Sequence, residues 1–283
     1  MTAIQNPKQF GSLKHCDLEL IWNLVLEIWD LNVLTFETEI LCNQLMFCKL
    51  HKGHHLGAVA QAVIVVCLIL NPVSPGRCET MSPATPSNSI PLPEPRYAGD
   101  VSVELALRQR RSVRSYKDDP LDMAEVSQIL WSAQGITSAG GFRTAPSAGA
   151  LYPLELYVIA GNVKNLPAAI YKYTPRDHAL LEIVSGDRRS DLSRAALRQG
   201  AIRKAPAVIL FCAVYERTTG KYGQRGFRYV HMEVGHAAQN ACLQAIALGL
   251  HTAVIGAFRD AEVKAIANLP ANEQPLYFVP VGR

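Results

Sequence analysis

Apolar residues recur at helical spacing through the stretch from residue 230 to residue 248. They fall every three or four positions, at Val230, Val234, Ala237, Ala241, Ala245 and Leu248. This period predicts an amphipathic helix of about twenty residues. Gly249 follows the last apolar position, as is typical of a helix end. We therefore expect this helix to be the longest in the chain.

A second helix is predicted at residues 122–135, where Asp122 and Glu125 have the spacing of a capping box. The apolar positions that this helix would bury also have a helical period; they are Met123, Val126, Ile129, Leu130 and Ala133. Shorter helices are predicted at 101–111 and 260–268.

Runs of apolar residues also predict the strands. These runs lie at 154–160, 168–173, 206–214, 252–257 and 276–281. Strands and helices do not alternate regularly, so the pattern predicts an α+β fold rather than a series of βαβ units. No G-x-G-x-x-G sequence follows a predicted strand, which disfavours a Rossmann domain.

An apolar run of a different kind precedes these elements. It covers the 15 residues from Leu56 to Leu70, follows Lys49, Lys52 and three histidines, and is itself followed by Asn71-Pro72. Fifteen helical residues span ~22 Å, less than the ~30 Å hydrocarbon core of a membrane. We therefore interpret 46–78 as a signal sequence. A membrane-tethered or buried N-terminal helix is the alternative.

Two features of the sequence count against export, since 45 residues precede Met46 and no clean A-x-A cleavage site follows the apolar run. A translation start at Met46 would reconcile them, and residues 1–45 would then be an upstream extension of uncertain origin. The mature protein is expected outside the cytoplasm, in the periplasm, with no stable membrane span; a cytoplasmic location is the alternative. Residues 79–95 are rich in proline and are predicted to be a linker or arm before a domain at 96–283.

Charge and cysteine content narrow the class of function. The chain of 283 residues has a net charge of +4, and no stripe of lysine and arginine interleaved with aromatic residues predicts nucleic-acid binding. Cys212 and Cys242 lie in apolar patterns and are predicted to be buried. His231 and His236 are five residues apart, too far around a helix to share a metal, so no metal site is predicted. Glu233 and His236 are interpreted as a surface or interface pair.

Three short segments carry the candidate chemistry: 110–114, 146–153 and 279–283. Three arginines and a serine occur in the first segment, and guanidinium groups match phosphate oxygens well. The small residues of Pro146–Gly149 and of Gly256-Ala257 allow the backbone to approach a flat ring closely. Taken alone, a basic run of this kind is usually solvated surface, and each loop is more often an ordinary turn.

With order and spacing added, the chain resembles the flavin-dependent nitroreductase superfamily, and within it the SagB-type azoline dehydrogenases. The resemblance covers about residues 90–283 and rests on segments that occur in the family's order, namely 110–114, 130–135, 146–153, 221–228, 255–258 and 282–283. It implies an α+β nitroreductase-like fold with a mixed central sheet flanked by helices, a homodimer, and FMN as cofactor. The implied phosphate ligands are Arg110, Arg111, Ser112, Arg114, Gly282 and Arg283. The implied ring contacts are Gln134, Pro146, Ser147, Ala148, Gly149, Ile255, Gly256 and Ala257.

The same resemblance assigns Lys221 and Tyr222 a role in removing a proton while hydride passes to the flavin. The alternative is a solvated loop lysine beside a packing tyrosine. The implied function is that of an FMN-dependent oxidoreductase with small-molecule electron donors and acceptors, NAD(P)H among the donors. A general NAD(P)H-dependent nitro or quinone reductase, and a flavin-binding module without turnover, are the alternatives.

Overall fold

The computed structural model describes residues 89–283. The predicted extension at 1–45, the predicted signal sequence at 46–78 and the first ten residues of the predicted linker lie outside the described residues. Predictions about export and translation start therefore stay predictions.

Seven helices and seven strands make up the described domain. The helices are α1 (Val103–Gln109), α2 (Met123–Gln134), α3 (Arg189–Ala195), α4 (Gly200–Lys204), α5 (Glu216–Tyr222), α6 (Arg225–Ala247) and α7 (Asp260–Ile266). The strands are β1 (Ser89–Pro91), β2 (Leu154–Ala160), β3 (Ala169–Thr174), β4 (Ala179–Ser185), β5 (Ala207–Ala213), β6 (His251–Thr252) and β7 (Gln274–Gly282). A short 3₁₀ turn covers Ala148–Ala150.

The strands form one seven-stranded sheet in the order β1-β4-β3-β2-β5-β7-β6. Every ladder between these strands is antiparallel. Parallel pairing is limited to isolated bridges, one between Ser112 and Thr252 and one between Leu121 and Val163. The predicted α+β fold is confirmed, although the sheet is mixed only through these bridges.

The side chains of β2 alternate between the two faces of the sheet, and helices cover both faces. Leu156 and Val158 belong to a core shared with α2 and α6. Tyr157 and Ile159 point the other way, into a core shared with α3, α4 and α7. Successive strand residues face opposite sides of a sheet, so β2 contributes to both cores. The sheet is therefore the middle of three layers.

Most predicted elements are confirmed to within a few residues. The capping box predicted for α2 is present at Asp122 and Glu125, with Asp122 N donating to Glu125 Oε2 over 2.8 Å. Cys212 and Cys242 are both buried, as predicted. The strand predicted at 252–257 is wrong beyond Thr252, because Ile255 forms only an isolated bridge with Phe278.

Two further features differ from the sequence predictions. Part of the predicted linker is the edge strand β1, which pairs with β4. A short proline-containing strand is tolerated there because an edge needs only one hydrogen-bonded side. The elements β4, α3, α4 and α5 were not predicted. Within residues 89–283, no helix is both long and apolar enough to cross a membrane, and no three metal-ligating side chains cluster.

Candidate functional site

The basic segment after α1 is held against the edge of the sheet. Val113 N donates to Thr252 O over 2.9 Å, and Lys117 N donates to Arg283 O over 2.6 Å. The hydroxyl of Tyr116 donates to Val113 O over 2.8 Å. These contacts bring together the two segments predicted to bind one phosphate, 110–114 and 279–283.

Gly282 is the contact point between these two segments. A Cβ atom at this position would lie 2.8 Å from Pro206 Cδ and 2.9 Å from the ring of Tyr116. Since real Cβ atoms do not approach so closely, the packing of Tyr116 on β7 requires glycine. The role that the structure shows for Gly282 is thus close packing, and its predicted contact with a phosphate stays a prediction.

The arginines of the two segments differ in what they contact. Arg111, Ser112 and Arg114 are exposed, and Arg110 is half-buried at the end of α1. Arg111 Nη1 donates to the carbonyls of Arg108 and Arg110, over 3.0 and 2.8 Å.

Arg283 has two partners within the chain. Its Nη1 donates to Pro120 O over 2.6 Å, and its Nη2 pairs with the Glu125 carboxylate. Among residues 89–283, the guanidinium groups of this cluster that have no intramolecular hydrogen bond or ion pair are those of Arg110 and Arg114, and phosphate binding by Arg283 stays a prediction.

The second predicted segment forms a tight loop that meets Lys221 and Tyr222. Gly149 has a φ of 64° within the 3₁₀ turn. A methyl group added at Gly149 would lie 2.8 Å from the Tyr222 hydroxyl oxygen and 3.1 Å from Lys221 Nζ. Lys221 and Tyr222 lie in the last turn of α5 rather than in a loop. The predicted catalytic pair and the predicted flavin loop thus converge on one point.

Arg217 fixes α5 onto this loop. Its Nη1 donates to Tyr152 O over 3.0 Å, and its Nη2 forms an ion pair of 2.5 Å with Glu155 on β2. Arg217 lies one helical turn before Lys221, so this contact sets where the last turn of α5 sits. Sequence reasoning missed Arg217, because its partners lie about 60 residues away and leave no local pattern.

A buried polar cluster lies behind the loop. Arg143 Nη1 donates to Gln134 Oε1 over 2.7 Å, and the Arg143 guanidinium lies 4.6 Å from the centre of the Tyr152 ring. Tyr152 N donates to Ser147 Oγ over 2.9 Å. Gln134, predicted to contact the flavin, is completely buried, and its Nε2 has no partner among the described residues.

Glu233 completes this cluster from α6. Its side chain is 3% exposed, and Oε1 has no partner among residues 89–283. Burial raises the pKa of Glu233 to about 7, against the opposing effect of the charge of Arg143. Burial also lowers the pKa of Arg143. The interpretation of Glu233 and His236 as a surface or interface pair is wrong for Glu233, which is buried, whereas His236 is exposed.

The loop at 255–257 lies beside β7. Ile255 is buried and exchanges two backbone hydrogen bonds of 2.9 Å with Phe278. Gly256 and Ala257 are exposed, and a Cβ at Gly256 would approach the Tyr277 ring to 3.3 Å. The loop therefore presents an exposed backbone with little side-chain cover, as predicted for a ring contact.

The two groups of predicted site residues, the 110–114 segment and the 146–149 loop, lie near different positions along α6. Burial raises the pKa of both Glu233 and Cys242 on α6; the charge of Arg143 opposes this effect at Glu233, and the charge of Arg110 opposes it at Cys242. Nine residues of helix separate these two positions, about 13 Å at 1.5 Å per residue. The chain thus presents two patches, a basic patch at 110–114 and a loop patch at 146–149.

This three-layered α+β architecture is the nitroreductase fold. The chain belongs to the nitroreductase family, whose sequence profile matches residues 107–283. The resemblance inferred from the sequence is confirmed.

Individual relatives agree with this assignment. The nitroreductase-family protein MJ1384 of Methanocaldococcus jannaschii is 49% identical over 184 residues, which cover 65% of this chain and 92% of that protein. The microcin B17-processing protein McbC of Escherichia coli is 31% identical over 156 residues, 53% of this chain and 57% of McbC. The crystal structure of a nitroreductase-family protein from Anabaena variabilis superposes with a TM-score of 0.62 at 30% identity, covering 69% of this chain and 41% of that one.

Proposed function

We propose that this protein is an FMN-dependent oxidoreductase that acts as a SagB-type dehydrogenase, oxidising a heterocycle such as an azoline. The observation that carries the proposal is the convergence of the Lys221 amine and the Tyr222 hydroxyl on Gly149 of the predicted flavin loop. Similarity to McbC, a microcin-processing protein, supports the choice of substrate class.

The residues present fit FMN. Arg110 and Arg114 offer guanidinium groups to a terminal phosphate, and no segment of the sequence resembles an adenosine pocket. Gly149 lets the Tyr222 hydroxyl and the Lys221 amine approach the loop closely, and Gly256 lies against the Tyr277 ring. Gln134 Nε2 is a buried donor without an acceptor among the described residues, and a ring carbonyl would supply one.

The chain's own residues would position the substrate and move a proton. When bound, FMN supplies a two-electron acceptor that takes hydride at N5. The proton that the substrate loses together with that hydride would pass to Lys221 or Tyr222, which lie on the same side of the 146–149 loop. Arg217 holds both residues in place through α5.

A general NAD(P)H-dependent nitro or quinone reductase is a second candidate. It is favoured by the similarity to MJ1384, which spans nearly the whole of that protein. In this case a nicotinamide donor would reduce the flavin, and an electron-poor acceptor would reoxidise it. The two candidates differ in whether Lys221 and Tyr222 are needed for turnover.

We also propose that the protein is a homodimer with active sites at the subunit interface. Support comes from exposed apolar side chains on two helices: Val103, Leu105 and Leu107 on α1, and Phe227 and Met232 on α6. Exposed apolar residues grouped on neighbouring elements mark interaction surfaces.

The absorbance spectrum of the purified protein tests cofactor and redox competence together. We expect bound FMN, bleaching of its absorbance by a donor, and recovery with an acceptor. A flavin-binding module without turnover would bind FMN but would not be bleached and restored in this way. Release of FAD, or no flavin binding after reconstitution, would contradict the proposal.

Variants of the basic patch test the phosphate site. Arg110→Ala or Arg114→Ala should lower FMN affinity roughly ten- to hundredfold, the loss expected for one charged hydrogen bond. Flavin titration measures this effect, and circular dichroism checks that the fold survives. An unchanged dissociation constant in both variants would move the phosphate elsewhere.

Variants of Lys221 and Tyr222 test whether the protein is an azoline dehydrogenase or a general reductase. Lys221→Ala and Tyr222→Phe should leave FMN binding and nicotinamide-driven reduction nearly intact, and should slow azoline oxidation by ~10²–10⁴, the usual contribution of a positioned acid or base. Retention of every activity would favour the general reductase, and loss of FMN or of the fold would make the pair structural.

A further inference from the structure

Two buried glutamines on α2 differ in how their amide groups are satisfied. Gln128 uses both ends of its amide: Oε1 accepts from Arg96 N over 2.7 Å, and Nε2 donates to Arg96 O over 3.0 Å and to Gln244 Oε1 over 3.2 Å. Gln134 uses only one end, because Oε1 accepts from Arg143 while Nε2 has no partner among residues 89–283. Buried polar groups nearly always have a partner, so the open end of Gln134 points to an acceptor supplied by a ligand.

Arg143 determines which end of the Gln134 amide stays open. A guanidinium group only donates hydrogen bonds, so the 2.7 Å contact of Arg143 Nη1 must be made with Oε1. Half a turn of the amide would place the N–H groups of Nε2 against the N–H groups of the guanidinium, and both sets of donors would lose their acceptor. The open end of Gln134 can therefore only donate.

The backbone holds Arg143 in place independently of this side-chain contact. The chain after α2 forms a short hairpin, in which Ile136 pairs with Arg143 in an antiparallel bridge and Thr144 N donates to Gly135 O over 3.0 Å. This hairpin returns the chain to the end of α2 and so places Arg143 beside Gln134. Its backbone contacts do not involve the guanidinium group, so we expect the hairpin to survive substitution of Arg143.

The same arginine adjoins the loop that would face the cofactor. Its backbone N donates to the Tyr152 hydroxyl over 3.3 Å, and its guanidinium lies 4.6 Å from the centre of the Tyr152 ring. Tyr152 N in turn donates to Ser147 Oγ, over 2.9 Å, within the predicted flavin loop. Arg143 thus links the open amide of Gln134 to this loop through contacts at each step.

We propose that Arg143 is a positioning residue for the cofactor: by holding Gln134 Oε1, it directs Gln134 Nε2 to donate a hydrogen bond to a ring carbonyl oxygen of FMN. The proposal rests on the proposed function, since it takes FMN as the ligand. The pyrimidine edge of a flavin presents two carbonyl acceptors with one N–H donor between them. An amide that can only donate selects a carbonyl and rejects the N–H, so Arg143 acts on the cofactor through Gln134.

Methionine variants of the full-length protein test this coupling. Gln134→Met and Arg143→Met should each weaken FMN binding about tenfold, the effect of losing one buried hydrogen bond. The double variant should bind within about twofold of the weaker single variant, because Arg143 has nothing to position once Gln134 is replaced. Flavin titration measures the dissociation constants, and circular dichroism checks the fold.

Gln128→Met is the matched control. It also replaces a buried glutamine of α2, but one whose amide partners all lie within the chain. Its FMN affinity should therefore stay within about twofold of that of the wild type.

Infrared spectroscopy of bound FMN, isotopically labelled at one ring carbonyl at a time, adds a readout that a purely structural role would not change. A hydrogen bond lowers the stretching frequency of the carbonyl that accepts it. The band of one carbonyl should therefore rise in frequency in both Gln134→Met and Arg143→Met. Neither band should move in Gln128→Met.

The outcomes separate this inference from the proposed function. If the wild type binds FMN but neither carbonyl band moves in the single variants, the inference is overturned and the proposed function stands. Additive losses of affinity in the double variant would show that Arg143 acts separately from Gln134, and would also overturn it. If the wild type binds no FMN, the proposed function fails and this inference fails with it.

A second substitution keeps the test decisive should Arg143→Met not fold. Arg143→Gln retains a polar partner for Gln134, but a glutamine can pair with either end of the facing amide and no longer fixes its orientation. The same carbonyl band should then rise in frequency, and an unshifted band in Arg143→Gln would overturn the inference.

Discussion

Gly149 carries two constraints that can be separated by substitution. Its φ of 64° is strained for any residue with a Cβ, and an added methyl group would also meet Tyr222 and Lys221. Gly141 shares the first constraint without the second, since its φ is 77° and nothing lies within 4 Å of an added Cβ.

Alanine at each of these glycines should therefore give different results. Both variants should lose ~1–2 kcal/mol of the free energy of unfolding, the cost of the left-handed conformation. Only Gly149→Ala should also slow the bleaching of bound flavin by an azoline substrate, because it displaces Lys221 and Tyr222. Chemical unfolding and the flavin absorbance assay measure the two effects. Equal flavin kinetics in both variants would show that the contact with Lys221 and Tyr222 is unimportant.

The pKa of Glu233 predicts a pH dependence of stability. Its value in the folded chain, about 7, lies above the ordinary value of 4.5, so the folded state binds the proton more tightly. The contribution of Glu233 to stability is then greatest below pH ~4.5 and is lost as the pH rises toward 7. A shift of this size corresponds to ~3 kcal/mol.

Glu233→Gln should remove this loss. We expect the variant to gain stability relative to the wild type between pH 5 and 8, in urea unfolding followed at several pH values. A difference between the two proteins that does not change with pH would contradict the raised pKa.

Among individual residues, the sequence predicted those that belong to a local motif and missed those whose partners are distant in the chain. Lys221, Tyr222 and the Pro146–Gly149 loop were placed by motif, and the structure brings them together. Arg143 and Arg217 act through long-range contacts and leave no pattern in the sequence. Glu233 did leave a signal, since it interrupts the apolar positions of α6 between Val230 and Val234, but it was interpreted as a surface residue.

Among the helices and strands, those with a long apolar pattern were predicted and those that form through tertiary contacts were not. Long periodic segments such as α2 and α6 were predicted well, because their apolar stripes extend over several turns. The helix α5 has two threonines and a glycine within seven residues and forms through packing on α6, where Thr218 is buried. The strand β4 is a short apolar run, which periodicity cannot distinguish from a helix; its pairing with β3 decides its structure.

The sheet also depends on a buried charge network across its strands. Lys172 on β3 lies 2.6 Å from Glu273 and 3.1 Å from Glu155, measured between Nζ and the carboxylate oxygens. Lys172→Ala would leave Glu273, whose side chain is 4% exposed, without its cation, and should cost ~3 kcal/mol. Lys164→Ala is the control, because its ion pair with Asp122 is half exposed and should be worth less than ~1 kcal/mol. Similar losses in thermal unfolding would show that burial does not decide the effect.

Within residues 89–283, several large apolar side chains lie outside the core and are exposed. Leu107 on α1 is 53% exposed and Leu197, after α3, is 57% exposed. If α1 belongs to the proposed dimer interface, Leu107→Glu should convert dimers to monomers, whereas Leu197→Glu should not. Sedimentation velocity of the full-length protein measures this. A monomeric wild type, or a dimer that survives Leu107→Glu, would contradict the proposed interface.

The position of β7 also has a consequence for how the protein is made. This strand pairs with β5 and β6, and its residue Gly282 receives Tyr116, so the basic patch after α1 cannot take its final form until β7 is in the sheet. Residues 110–114 leave the ribosome long before residues 274–282, and domains begin to fold from the N-terminal side during synthesis. The nascent chain should therefore have no cofactor site until translation has passed β7, and loading of the cofactor should follow synthesis rather than guide it.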